Sequence, residues 1–105
     1  MSHSDRLQAL QALRREDPDD ALLLYGLAME LRKLGRPAEA LAAFEELTAK
    51  HPAYVPGLLQ GGLLLQAEDR PDDARAWFER ALAAAQNEGD TRAADEIQGF
   101  LEMLA

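Results

Sequence analysis

With 105 residues the chain has room for one domain, able to bury about two thirds of its unfolded surface. Apolar residues make up 48%, charged residues 29% and aromatics 6%; Val and Ile are nearly absent, so the Leu- and Ala-rich remainder favours helix over sheet. A net charge of −8 sets the surface against nucleic acid and anionic membrane, and the absence of cysteine removes disulfides and thiolate chemistry.

Ser4 to Arg15 reads as a first helix, with Leu7, Leu10 and Leu13 in a narrow apolar stripe, Ser2 or Ser4 as cap and Asp5 in the first turn. Asp17-Pro18-Asp19-Asp20 follows, Asp17 suiting a cap and Pro18 the first position of a second helix that runs to about Leu34. That helix is apolar on two adjacent faces, Leu24-Leu27-Ala28-Leu31 and Leu22-Tyr25-Met29, so it is sandwiched or has something to bind. Gly35 suits a left-handed cap, and Pro37 opens a third helix, Ala38 to Ala49, with Ala40, Leu41, Phe44 and Leu47 inward. The small Ala40 implies close approach of the preceding helix.

His51-Pro52 stops the third helix, and the fourth spans about Tyr54 to Ala67. Gly61-Gly62 inside it costs about 1 kcal/mol per glycine against alanine, which implies either close packing of another helix or a softened one. A fifth helix runs from Pro71 to about Asn87 with Ala74, Phe78, Ala81, Leu82 and Ala85 on its core side and Trp77 flanking Phe78. Gly89 caps it, Asp90 or Thr91 starts a sixth helix to Leu104, and Ala93, Ala94, Ile97, Phe100, Leu101 and Leu104 take helical spacing there. Six helices joined by short turns predict one all-α domain over 1–105.

One step recurs through these elements. Pro37, Ala40 and Phe44 reappear 34 residues on as Pro71, Ala74 and Phe78, and Pro18 reappears as Pro52. With Leu24, Leu27, Ala28 and Leu31 in the second helix, this resembles the tetratricopeptide repeat, a 34-residue helix-turn-helix of pattern W-x2-L-G-x2-Y…A-x3-F…P. The resemblance covers nearly the whole chain. The Ala-x3-Phe pair and its period are specific, while the first helix of each repeat matches loosely and Gln86 replaces the second closing proline.

The resemblance implies an all-α, right-handed solenoid of α-hairpins with two full repeats and flanking N- and C-terminal helices. An N-terminal helix at 4–16 stands for the second half of a missing repeat; 21–54 and 55–88 are the repeats; 90–105 is a C-terminal capping helix. Two full repeats are fewer than the three or so a solenoid usually needs, so the flanking helices or a second chain must supply interfaces. The layout is similar to small, stand-alone bacterial members of the family, and the expected location is the cytoplasm: no basic-then-apolar leader opens the sequence, and no apolar run approaches a membrane span.

The resemblance also implies a function, binding a protein or peptide in a concave groove lined by the first helix of each repeat. The family's clamp of Lys, Asn and Arg for a C-terminal carboxylate is absent. The groove positions read Leu22, Tyr25, Met29 and Arg32, then Leu59, Leu63 and Gln66, which suits an apolar or amphipathic segment. Three other readings stay open: a terminal helix folds over this strip, the strip forms a homodimer, or the helix phase is displaced. Trp77 and Phe78 read as packing residues rather than a ligand cage. With no Cys, and with His3 and His51 as the only histidines, no metal site or cofactor is expected. The carboxylates fall at helix starts and solvated faces and make no catalytic pair, so an enzyme is not expected.

Overall fold

The fold is that of a computed structural model, which describes residues 3–104. Every regular element among them is a helix: α1 His3–Glu16, α2 Ala21–Lys33, α3 Pro37–Lys50, α4 Val55–Ala67, α5 Pro71–Glu88 and α6 Thr91–Met103. The six predicted helices are all present, with ends displaced by no more than one residue except at the start of α2, which falls three residues after Pro18. Ser4 falls inside α1 rather than before it, and Ser2 lies outside the described residues.

The start of α2 differs from the sequence reading. Asp20, not Asp17, is the cap: its Oδ1 accepts from the Leu23 N–H at 2.9 Å, and Pro18 stays in the preceding turn. The turn is held from outside. Lys50 Nζ donates to the Pro18 carbonyl at 3.1 Å and pairs with Asp19 at 3.0 Å, while His51 Nε2 donates to the Asp19 carbonyl at 2.6 Å. Those partners lie 31 or 32 residues away, so local capping rules had no access to them.

The helices group into two compact units, Met1–Pro52 and Ala53–Ala105. In the first, α2 is central and packs on both α1 and α3. Leu24, Ala28, Ala40, Phe44 and Leu47 are fully removed from solvent, and the Tyr25 ring meets Phe44 edge-on at 6.4 Å. In the second, α5 is central and packs on both α4 and α6. Leu58, Ala74, Phe78, Ala81, Ala85 and Ile97 form its core, with Phe78 stacked on Phe100 at 5.6 Å. The recurring Ala40/Phe44 and Ala74/Phe78 pairs are therefore core residues in both units.

Turn chemistry recurs at the same step. Arg36 precedes Pro37 and pairs with Glu39 through a 2.9 Å Nε bond; Arg70 precedes Pro71 and pairs with Asp73 at the same distance. Gly35 ends α2 with φ 71°, and Asp69 takes the left-handed conformation at the matching turn with φ 59°. A non-glycine residue there carries backbone strain that Gly35 does not.

The paired glycines of α4 have a definite role. A Cβ on Gly61 would collide with the Trp77 ring, and one on Gly62 would lie 2.6 Å from Phe78 Cε1. Both helices of this hairpin can close only because those positions lack a side chain, which settles close packing over softening. Trp77 is half-buried against Gly61, and the Arg80 guanidinium lies 5.4 Å from its ring centroid.

Candidate functional site

Along α2, Leu22, Tyr25, Met29 and Arg32 fall on one side at helical spacing, adjacent to the face of the buried Leu24, Ala28 and Leu31. Leu22 is 70% exposed, unusual for a leucine, and Tyr25, Met29 and Arg32 are half-buried. Along α4, Leu59, Leu63 and Gln66 take the corresponding positions and are likewise half-buried, while Leu58, Leu64 and Leu65 are core. Each unit therefore presents one apolar helix face that its own packing leaves partly open. Tyr25 is the exception in that its ring edge also contributes to the Phe44 core.

Ion pairs that sequence reading did not find join the helices of the first unit. Glu30 of α2 is only 2% exposed and takes Arg6 Nε of α1 at 2.9 Å, with Lys33 at 3.7 Å. Arg14 Nη2 of α1 donates to both carboxylate oxygens of Glu46 of α3, which Lys50 joins at 3.1 Å. Burial pushes the Glu46 carboxyl up, but Lys50 and Arg14 together outweigh it and hold it below the usual carboxylate range. The Asp19 and Glu46 carboxylates raise Lys50 above its ordinary value. Lys33 and Lys50 stand at helical spacing from their carboxylates, but the Arg6–Glu30 and Arg14–Glu46 links cross between helices at separations that a single sequence does not reveal.

An open cleft of about 280 Å3 lies in the first unit among Gln11, Arg14, Leu27, Leu31, Ala43 and Glu46. Arg14 and Glu46 are joined across it, and Glu39, which also lines it, pairs with Arg36. Among the described residues no cluster of His, Asp or Glu could hold a metal ion, and no helix is long and apolar enough to cross a membrane.

Comparison with known sequences and structures places the fold in a family. The sequence model of the tetratricopeptide repeat matches residues 6–55 and again 58–103, and the chain belongs to that family. A TPR repeat-containing protein of Pseudomonas aeruginosa is 29% identical over 98 residues, 93% of each chain. A second TPR repeat-containing protein of that organism is 38% identical over 68 residues, 65% of this chain; the present chain spans only 11% of its length. The tetratricopeptide repeat domain protein of Salinibacter ruber, solved in solution, is 34% identical and superposes with a TM-score of 0.79 over 84% of this chain and 89% of its own. PcrH, solved in complex with the chaperone binding region of PopD, superposes at 0.89 with 21% identity, over 97% of this chain and 77% of its own. The all-α helical-repeat class expected from the 34-residue step is thus the observed one.

Proposed function

We propose that this protein is a non-catalytic interaction module which holds apolar or amphipathic segments of another protein on two faces, Leu22, Tyr25, Met29 and Arg32 of α2 in the first unit and Leu59, Leu63 and Gln66 of α4 in the second. The observation that carries the reading is the half-open apolar face on each of these helices, with Leu22 70% exposed. Exposed apolar surface of this kind is a usual mark of a binding face. PcrH, of the same fold, holds a protein segment, which supports the reading by likeness of fold.

Affinity would come from burying Tyr25, Met29, Leu59 and Leu63, at about 25 cal/mol per Å2 before the costs of association. Arg32 and Lys33 at one margin suit an acidic flank on the guest, and the net charge of −8 opposes nucleic acid or anionic membrane in that role. The matching test is selection from a displayed library of helical peptides, followed by calorimetry. Enriched amphipathic sequences should lose at least about tenfold in affinity to Met29→Glu or Leu63→Glu. Binding indifferent to both substitutions would sink the proposal. The rival reading, a homodimer through the same faces, requires those substitutions to change the sedimentation of the chain alone.

A further inference from the structure

The seam between α1 and the α2–α3 hairpin holds little apolar packing. Among the described side chains of α1, Leu7 alone is buried; Leu10 is half-buried beside Gly26 of α2, and Leu13 is 47% exposed. Hollows of about 280 and 470 Å3 open beside Gln11 and Arg14, the smaller floored by Leu27, Leu31 and Ala43, so space toward α3 is left unfilled. The remaining ties are polar. Arg6 reaches Glu30 of α2 at 2.9 Å, and Arg14, about 12 Å further along α1, donates to Glu46 of α3. Lys50 and His51, at the end of α3, hold the turn after α1 through Pro18 and Asp19.

The sixth helix is seated differently, with Ile97 fully buried and Phe100 stacked on Phe78 at 5.6 Å. A helix of 14 residues is marginal on its own in water, so α1 draws its order from its seam. Segments with few buried apolar contacts open ahead of the whole molecule. Charge decides how firmly this one closes. Part-exposed ion pairs such as Arg14–Glu46 weaken in salt, whereas the Glu30 carboxylate, 2% exposed, depends on the cation that α1 brings to it.

We propose that α1 is a charge-latched lid on α2: it opens while the α2–α3 hairpin stays folded, and ionic strength sets how often. Opening uncovers Gly26 and Glu30, one stripe of α2. Gly26 lies four residues from Leu22 and three from Met29, so this stripe borders the face they form. A lifted α1 therefore widens that face toward a segment that brings its own cation to Glu30, as Arg6 does. This consequence rests on the peptide-binding reading; the opening itself does not.

Amide hydrogen exchange of the 15N-labelled 105-residue chain, free of peptide, tests the opening at about 0.05 and about 1 M sodium chloride, where the screening length falls to about 3 Å. Amides of Leu10 to Arg14 should be protected at low salt, but less than those of Phe44 and Leu47. High salt should lower α1 protection at least about threefold relative to α6, which serves as the internal reference. Glu46→Gln should lower it about threefold at low salt and shrink the salt response. Arg6→Gln should lower it about tenfold, since Glu30 loses its partner whenever the lid closes. Both variants should leave Phe78 and Ile97 amides unchanged, which also shows that they stay folded. Several results overturn the proposal: α1 exchanging only together with Phe44 and Leu47, α1 unprotected at low salt, a salt response no larger than that of α6, or α1 protection indifferent to both substitutions.

Discussion

The two units are built from three helices each but are tied differently. Residues 1–52 carry seven basic and nine acidic side chains, and residues 53–105 carry four and ten. The first unit is centred on α2 and linked by side-chain charge, Arg6 to Glu30, Arg14 to Glu46 and Lys50 to Asp19. The second is centred on α5 and linked by shape, Trp77 and Phe78 seated on Gly61 and Gly62 and Phe100 stacked behind. One repeat pattern thus tolerates two means of joining neighbours, provided the Ala-x3-Phe pair stays buried in both.

Substitutions separate what is common from what is particular. Phe44→Ala and Phe78→Ala remove fully buried rings, and each should cost roughly 3–5 kcal/mol in chemical denaturation. A nearly silent result at either would break the equivalence of the two hairpins. Next come the glycines, where the units should respond with opposite sign. Gly62→Ala forces a methyl group against Phe78 and should destabilise by about 1–3 kcal/mol. At Gly26 the added methyl would lie 3.5 Å from Leu10, an ordinary contact, so Gly26→Ala should stabilise by up to about 1 kcal/mol through helix propensity.

Smaller effects follow from turns and charges. Asp69→Gly should gain about 0.5–1 kcal/mol by relieving the left-handed conformation that Gly35 adopts without strain. Glu46 and Glu39 titrate below the usual carboxylate range, Glu39 because Arg36 donates to it. Their contribution is therefore present above the unfolded value and lost as pH falls through the lower folded one. Lys50 is shifted upward, so its contribution is present below the ordinary lysine value and lost as pH rises through the raised one. Thermal midpoints should hold between neutral pH and about 9, then fall below about pH 4.5. Glu46→Gln should flatten that acid limb, and an unchanged limb would show that the α1–α3 ion pair contributes nothing.

Much of this was legible in the sequence because repeats advertise themselves. The 34-residue step located the core pairs Ala40/Phe44 and Ala74/Phe78 and the turns at Pro37 and Pro71, whereas Gly61-Gly62 stayed open between close packing and softening until the Trp77 and Phe78 rings were placed. What stayed hidden is non-local polar chemistry. Nothing in the order of residues says that Lys50 and His51 will hold the turn at Pro18 and Asp19, so Asp17 was read as a cap in place of Asp20. The Arg6 partner of the buried Glu30 was invisible for the same reason, since it lies on another helix. The candidate site was legible only as the faces of α2 and α4 left over once the recurring residues had been assigned to the core.

That division, recurring residues as scaffold and the non-recurring faces of α2 and α4 as the contact surface, is most directly tested by amide chemical shifts in the 15N-labelled chain as a selected amphipathic peptide is added. The account predicts the largest changes at Leu22, Tyr25, Met29, Leu59 and Leu63, with small ones around the buried Phe44 and Phe78. Changes centred on α1 and α6, with the α2 and α4 faces silent, would contradict it.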